Sequence, residues 1–119
     1  MRRILVVEDD ALIGFVLEDM LTEIGYEVIG PMLSLSEGLA AVAEHAFDLA
    51  LLDVNLGGED SSPIAEALQA RDIPYILATG YAAADVKGAD RCSGVLSKPF
   101  DHEALASVLR QAEARSNGG

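Results

Sequence analysis

Short apolar runs alternate with helically spaced segments along the whole of this chain, and few architectures accept that alternation. The clearest run is Leu49-Ala50-Leu51-Leu52-Asp53-Val54, apolar except for Asp53. An unbroken apolar run of this length reads as a strand covered on both faces, the usual state in a parallel sheet. It gives way to Asn55-Leu56-Gly57-Gly58, which reads as a loop. Ligands of open α/β sheets bind just outside the carboxyl ends of the strands. A carboxylate at Asp53 is therefore anchored by a strand and open to chemistry. The plainer alternative is a strand-end Asp that caps the following loop, and the run alone does not choose between them.

The remaining segments fall into the same rhythm. Arg3-Ile4-Leu5-Val6-Val7 reads as a first strand, halted by Glu8-Asp9-Asp10. Leu12, Ile13, Val16, Leu17, Met20, Leu21 and Ile24 then recur at helical spacing, with Asp10 as N-cap and Gly25 as the stop. Residues 27–32 form a short second strand, placed near a sheet edge by Gly30 and Pro31. Ser34-x-x-Glu37 is a capping box that opens a helix to about His45. Ser62-Pro63, read as N-cap and first helical residue, starts a third helix that runs to about Arg71. Residues 74–79 make a fourth strand and 82–89 a weak helix interrupted by Gly88. Residues 94–97 make a fifth strand, ended by Lys98-Pro99-Phe100. Asp101 caps a last helix with Leu105, Val108 and Leu109 inward, reaching about Arg115 before a frayed end.

Five strands alternating with five helices predict an α/β fold with a parallel sheet covered on both faces. The carboxyl ends of the strands then share one rim, which carries Glu8, Asp9, Asp10, Asp53, Thr79 and Lys98. For the acids to meet, the first and third strands must be neighbours, as at a flavodoxin-like switch point.

Composition narrows the function. At 119 residues, half of them hydrophobic, the chain is the size of one domain and can form a core without disulfides. Its single cysteine, Cys92, excludes a disulfide framework and a thiolate metal site. A net charge of −12 argues against nucleic acid and favours protein or cation partners. No secretory segment or run of about 20 apolar residues is present, so a cytoplasmic location with no membrane partner is expected.

Three carboxylates from two adjacent strand ends repel, and a hard divalent cation resolves that conflict. Lys98 can pair with Asp53 or hold a phosphoryl oxygen, and Thr79 can donate its hydroxyl to the same oxygen. A carboxylate nucleophile, a metal, a lysine and a hydroxyl are the parts that phosphoryl transfer requires. Singly, each has an ordinary reading: acids at a helix N-terminus, a strand threonine, an edge lysine. Their occurrence at four different strand ends favours the joint reading.

In these features the chain resembles the receiver domain of two-component response regulators. The features are Glu8-Asp9, Asp53, Thr79 and Lys98-Pro99, in that order. The resemblance implies a flavodoxin-like (βα)5 three-layer sandwich with strand order 2-1-3-4-5, spanning residues 1–116 with a flexible tail at 117–119. It implies that Asp53 accepts a phosphoryl group from a histidine kinase or phosphotransfer protein. Mg²⁺ would be held by Asp9, Asp53 and the backbone carbonyl of Asn55, with Glu8 acting directly or through water. Lys98 and Thr79 would hold the phosphoryl oxygens, and the Lys98–Pro99 bond would be cis. Partners would dock on the face of the fourth helix, fifth strand and fifth helix. The chain would act as a stand-alone signalling domain or phosphate sink, not as an enzyme.

One departure stands out. Receivers usually carry Tyr or Phe three residues before the lysine, and here that residue is Val95. Leu77-Ala78-Thr79-Gly80-Tyr81 resembles the Phe-Ala-Thr-Gly-x-Tyr subfamily of stand-alone receivers, with Leu77 in place of Phe. That resemblance implies switching through Thr79, Gly80, Tyr81 and Pro99. Two rivals stay open: a pseudo-receiver that binds without being phosphorylated, and a small haloacid-dehalogenase-like phosphohydrolase. The second normally shows Asp-x-Asp, where this chain has Asp53-Val54-Asn55.

Overall fold

The computed structural model of the chain describes residues 2–80 and 92–117. In chain order its elements are β1 (Arg3–Val7), α1 (Ala11–Ile24), β2 (Glu27–Met32), α2 (Leu35–Glu44) and β3 (Leu49–Asp53). Then follow β4 (Asn55–Leu56), β5 (Glu59–Asp60), α3 (Ser62–Ala70), β6 (Tyr75–Thr79), β7 (Gly94–Ser97) and α4 (His102–Asn117). The main sheet is parallel with order β2-β1-β3-β6-β7, and β4 and β5 pair separately as a small antiparallel hairpin. Without the hairpin strands this is the 2-1-3-4-5 order of the flavodoxin-like fold expected above. The helix expected over 82–89 lies outside the described residues.

The sheet strands are apolar on both sides because both sides are covered. Leu5, Val7, Ala50, Leu52 and Leu77 pack with Ala41 and Val42 of α2 and Ile64, Ala65 and Leu68 of α3. The alternate residues Ile4, Val6, Leu49, Leu51, Ile76 and Ala78 pack with Leu17 and Leu21 of α1 and with Leu105, Leu109 and Ala112 of α4. The period of two, hidden in the sequence by two-sided burial, thus reappears as two separate cores.

Several local expectations need correction. The N-cap of α3 is Ser61, and Ser62 is its first residue. The Asp60 carboxylate accepts from both the Ser62 amide and the Ser62 hydroxyl, so Asp60 takes over the capping that was assigned to Ser62. At α2, Ser34 Oγ accepts from the Glu37 amide as predicted, but Glu37 returns its bond to the Leu33 amide, one residue earlier than a standard capping box. Helix α4 runs to Asn117, past the expected end at Arg115. In α1, only Gly14, Leu17 and Leu21 are buried, while Leu12, Phe15 and Val16 face outward.

Strand β2 is an edge strand, and its end is shaped by Gly30. The β1–β2 register moves from Leu5 opposite Ile29 to Val7 opposite Met32, so β2 accommodates one extra residue. Gly30 sits at φ +103°, and the Gly30–Pro31 bond is cis. The bulge brings the Met32 carbonyl to the Glu8 amide at 2.8 Å, which ties the start of the acidic loop to the sheet edge. A Cβ at Gly30 would lie 2.7 Å from the Met32 nitrogen and 2.8 Å from the Val6 carbonyl oxygen, both backbone atoms. Gly30→Ala is therefore expected to destabilise the fold by about 2 kcal/mol or more, read from chemical denaturation. Gly25→Ala, also at positive φ but with nothing within 4 Å, should cost only about 1 kcal/mol.

Candidate functional site

Register alone aligns the rim. Val7 pairs with Leu52, so Glu8 follows β1 where Asp53 ends β3. Asp53 pairs with Ala78 and Thr79 with Ser97, so Thr79 and Lys98 are each one residue further along. The Lys98 amide donates to the Thr79 carbonyl at 2.9 Å, fixing the backbone from which the lysine side chain departs. The Lys98–Pro99 bond is cis.

The side chains converge. Lys98 Nζ lies 2.8 Å from Glu8 Oε1 and 2.8 Å from Asp53 Oδ2. Glu8, Asp53 and Thr79 are buried, with Glu8 only 2% exposed. Asp53 Oδ1 accepts from the Asn55 amide, so its two oxygens have different partners. Glu8 Oε2 accepts from the Asp10 amide, and Asp10 in turn caps α1 through the Leu12 and Ile13 amides. Asp9 is exposed, and its Oδ2 accepts from the Gly57 amide at 2.9 Å. Glu8, Asp9 and Asp53 each present a carboxylate oxygen, all within 4.8 Å of one another. Gly80 is an exposed bend directly after β6. Tyr81 lies outside the described residues.

Charge is unevenly shared within this cluster. Burial, with Asp53 close by, pushes the Glu8 carboxyl up to about 7 despite the nearby ammonium. Burial would lower Lys98, but its bonds to Asp53 and Glu8 outweigh that and raise it. Burial opposes ionisation of Asp9 too, yet hydrogen bonds from Glu8 and the Gly57 amide leave it below its ordinary value. Three acids against one lysine leave the cluster net negative. The donors are all oxygen, which suits a hard cation such as Mg²⁺, and Glu8, Asp9, Asp53 and the Asn55 carbonyl are the groups that would hold it.

Two features were missed in the sequence. One is the β4–β5 hairpin, read there as a loop. Its signal was present: Gly57-Gly58 between Leu56 and Glu59 is a two-residue hairpin turn, and both glycines have positive φ, +63° and +92°. The other is the outward apolar strip of α1. Leu12, Ile13 and Val16 line a groove of about 460 Å³ with Lys98, Pro99 and Phe100, immediately beside the rim. Helical spacing places Leu12 and Val16 on an apolar side without showing whether anything covers them.

Residues 4–110 match the model of the response regulator receiver domain. The chain belongs to that family. It is 30% identical over 118 residues to the transcriptional regulatory protein PdtaR of Mycobacterium tuberculosis, covering 96% of this chain and 58% of PdtaR. The chain thus spans little more than half the length of that relative. Among solved structures, SdrG from Sphingomonas melonis Fr1 is 42% identical with a TM-score of 0.82, covering 95% of this chain and 97% of SdrG. The response regulator TrrA from Thermotoga maritima, solved in complex with Mg(2+)-BeF, is 26% identical with a TM-score of 0.82, covering 94% of this chain and 99% of TrrA. No helix among the described residues is long and apolar enough to cross a membrane.

The raised Glu8 carboxyl makes metal-free stability depend on pH. A folded state that binds this proton more tightly than the unfolded chain has its full contribution below about pH 4.5. That contribution is lost as pH rises through about 7. Thermal unfolding in chelator should show stability falling across this window by on the order of 1–3 kcal/mol. Glu8→Gln, which cannot ionise, should flatten the fall.

Proposed function

We propose that this receiver accepts a phosphoryl group on Asp53 from the phosphohistidine of a sensor kinase or phosphotransfer protein, with Mg²⁺. The observation that carries the reading is the double bond-distance contact of Lys98 with Asp53 and Glu8, beside an acidic cluster of metal-binding dimensions. TrrA's complex with Mg(2+)-BeF, on a chain of similar fold, supports it. Bound Mg²⁺ would supply the positive charge that offsets the phosphoryl oxygens during transfer.

The chain's own groups account for the rest. The Asn55 amide on Oδ1 and the strand below orient the Asp53 carboxylate. An Asp53 oxygen forms the new P–O bond as the P–N bond to the donor imidazole breaks, giving an acyl phosphate and a histidine that takes up a proton. Lys98 can transfer one of its hydrogen bonds from Asp53 to a phosphoryl oxygen, following the charge as it moves. The Thr79 hydroxyl is the second donor to that group. Thr79, Gly80, Tyr81 and Pro99 form the switch, with Val95 offering no aromatic ring to assist. The signal leaves by protein binding at the face that includes β7 and α4, or ends in phosphate draining, in the cytoplasm. The stand-alone Phe-Ala-Thr-Gly-x-Tyr receivers are the subfamily that this reading favours.

The donor is a protein, and the α1 groove is where it would lie. Leu12 is 73% exposed and Phe15 57%, and the groove reaches Lys98 itself, so a donor surface seated there delivers its histidine to Asp53. Leu12→Ala, which removes a side chain lining the groove, should leave labelling by a small phosphodonor unchanged while slowing transfer from a phosphohistidine protein several-fold.

Intact mass after incubation with Mg²⁺ and acetyl phosphate tests the central claim. One phosphoryl group should be gained, and none in Asp53→Asn or in chelator. A gain that persists in Asp53→Asn would overturn the site. No gain, together with no response of the Thr79 and Gly80 amides to beryllofluoride and Mg²⁺ in NMR, would favour the pseudo-receiver.

A further inference from the structure

We infer that the backbone amide of Gly57 is a positioning group for Asp9, holding that carboxylate in its metal-binding orientation, so that the β4–β5 hairpin forms one wall of the cation site. The inference rests on the metal reading above. Asp9 is exposed in the loop after β1, where a carboxylate would otherwise sample several rotamers. Its Oδ2 instead accepts from the amide of Gly57, a residue 48 positions away in the chain. A charge-assisted bond of this kind is both short and directional.

The amide is well aimed because the hairpin is anchored by contacts that do not involve Asp9. Leu56 is buried in the core shared with α2 and α3. The Gly58 amide donates to Asn55 Oδ1 at 2.7 Å, closing the turn from inside. The Val54 amide donates to the Ala78 carbonyl and the Ser61 amide to the Val54 carbonyl, each at 3.0 Å, tying both ends of the hairpin to the sheet. Gly57 at φ +63° and Gly58 at φ +92° adopt the turn that faces this amide toward the rim. The direction of the N–H is thus set by the fold, before any cation arrives.

The bond also coexists with the cluster. Asp9 presents a carboxylate oxygen within 4.8 Å of those of Glu8 and Asp53 while Oδ2 accepts from Gly57, and a carboxylate has lone pairs enough to accept an N–H and face a cation together. The amide therefore preorganises a ligand instead of withdrawing it. Withdrawal would have the opposite sign, because the cation would have to break the bond.

The test deletes one N–H. Glycolic acid in place of Gly57 turns the amide into an ester and leaves every side chain unchanged. Mg²⁺ affinity is then measured by calorimetry for the unmodified and ester chains, each also carrying Asp9→Asn. The ester is expected to weaken Mg²⁺ binding about tenfold, and to have no further effect when Asp9→Asn is present. Unchanged or tighter binding in the ester would overturn the inference while leaving the metal site intact. Absence of Mg²⁺ binding by the unmodified chain would overturn the metal reading, and the inference with it. A second measurement uses the unmodified chain alone. The Gly57 amide proton should keep a hydrogen-bonded shift and a small temperature coefficient when Mg²⁺ saturates the site, and lose both in Asp9→Ala. Loss of that signature on adding Mg²⁺ would equally overturn the inference.

Discussion

The rim depends on one ammonium group placed between two buried carboxylates. Glu8 and Asp53 end adjacent parallel strands, and burying both as anions would be costly without a counter-charge. Lys98 supplies it from the end of β7, reaching across β6 to lie 2.8 Å from each. The ion pair does not fully satisfy the cluster, since Glu8 keeps a raised affinity for a proton and Asp9 adds a third acid. That residual imbalance is functional in sign. A site whose charges were already balanced would have little to gain from a cation or from the positive surroundings that a transferring phosphoryl group demands.

What the sequence showed and what it concealed follow from the range of the forces involved. The alternation of strands and helices and the polar rim were readable because they rest on local patterns: apolar runs of strand length, caps such as Asp10 and Ser34, and polar residues at the run ends; the full strand order came with the family resemblance. Topology rules then leave few ways to join such units. The hairpin after Asp53 was hidden because Asn55-Leu56 and Glu59-Asp60 are too short to carry a strand pattern, and only the Gly57-Gly58 turn announces them. The outward strip of α1 was hidden for a different reason. Helical spacing records that Leu12 and Val16 lie on an apolar side, but not whether a neighbour covers that side. The cover depends on where α4 and the Lys98–Phe100 segment sit, which is settled by the register of β7 at the far edge.

The Gly-rich segment after β3 therefore does more than connect. Its glycines are placed where φ must be positive, Leu56 pins it to the core, and its amides face the two acids that matter, Asn55 toward Asp53 and Gly57 toward Asp9. Backbone donors suit this task because they carry no side-chain rotamer freedom of their own. The cluster is thus held from two sides: a movable cation, Lys98, and fixed dipoles from the hairpin. Under the proposed chemistry the division is sensible, since Lys98 must follow charge onto the phosphoryl group while the ligands of the metal must stay still.

The same division bears on how a signal could leave the site. Val95 pairs with Leu77 across β6 and β7; Leu77 lies in the core that packs on α2 and α3, and the half-buried Val95 packs against it. A β-branched valine has few χ1 choices and no ring to exchange between an inner and an outer position. Leu77, where the subfamily motif has Phe, is aliphatic and buried. The centre of these two strands is therefore built to stay fixed, and on the proposed reading the change must begin at their ends. There the Thr79 carbonyl holds the Lys98 amide, and Gly80 follows at an exposed bend with no side chain to resist a shift. A Thr79 hydroxyl drawn toward a phosphoryl group would pull on both strand ends through that single backbone bond. That route runs through main chain at the rim and needs no aromatic in the core.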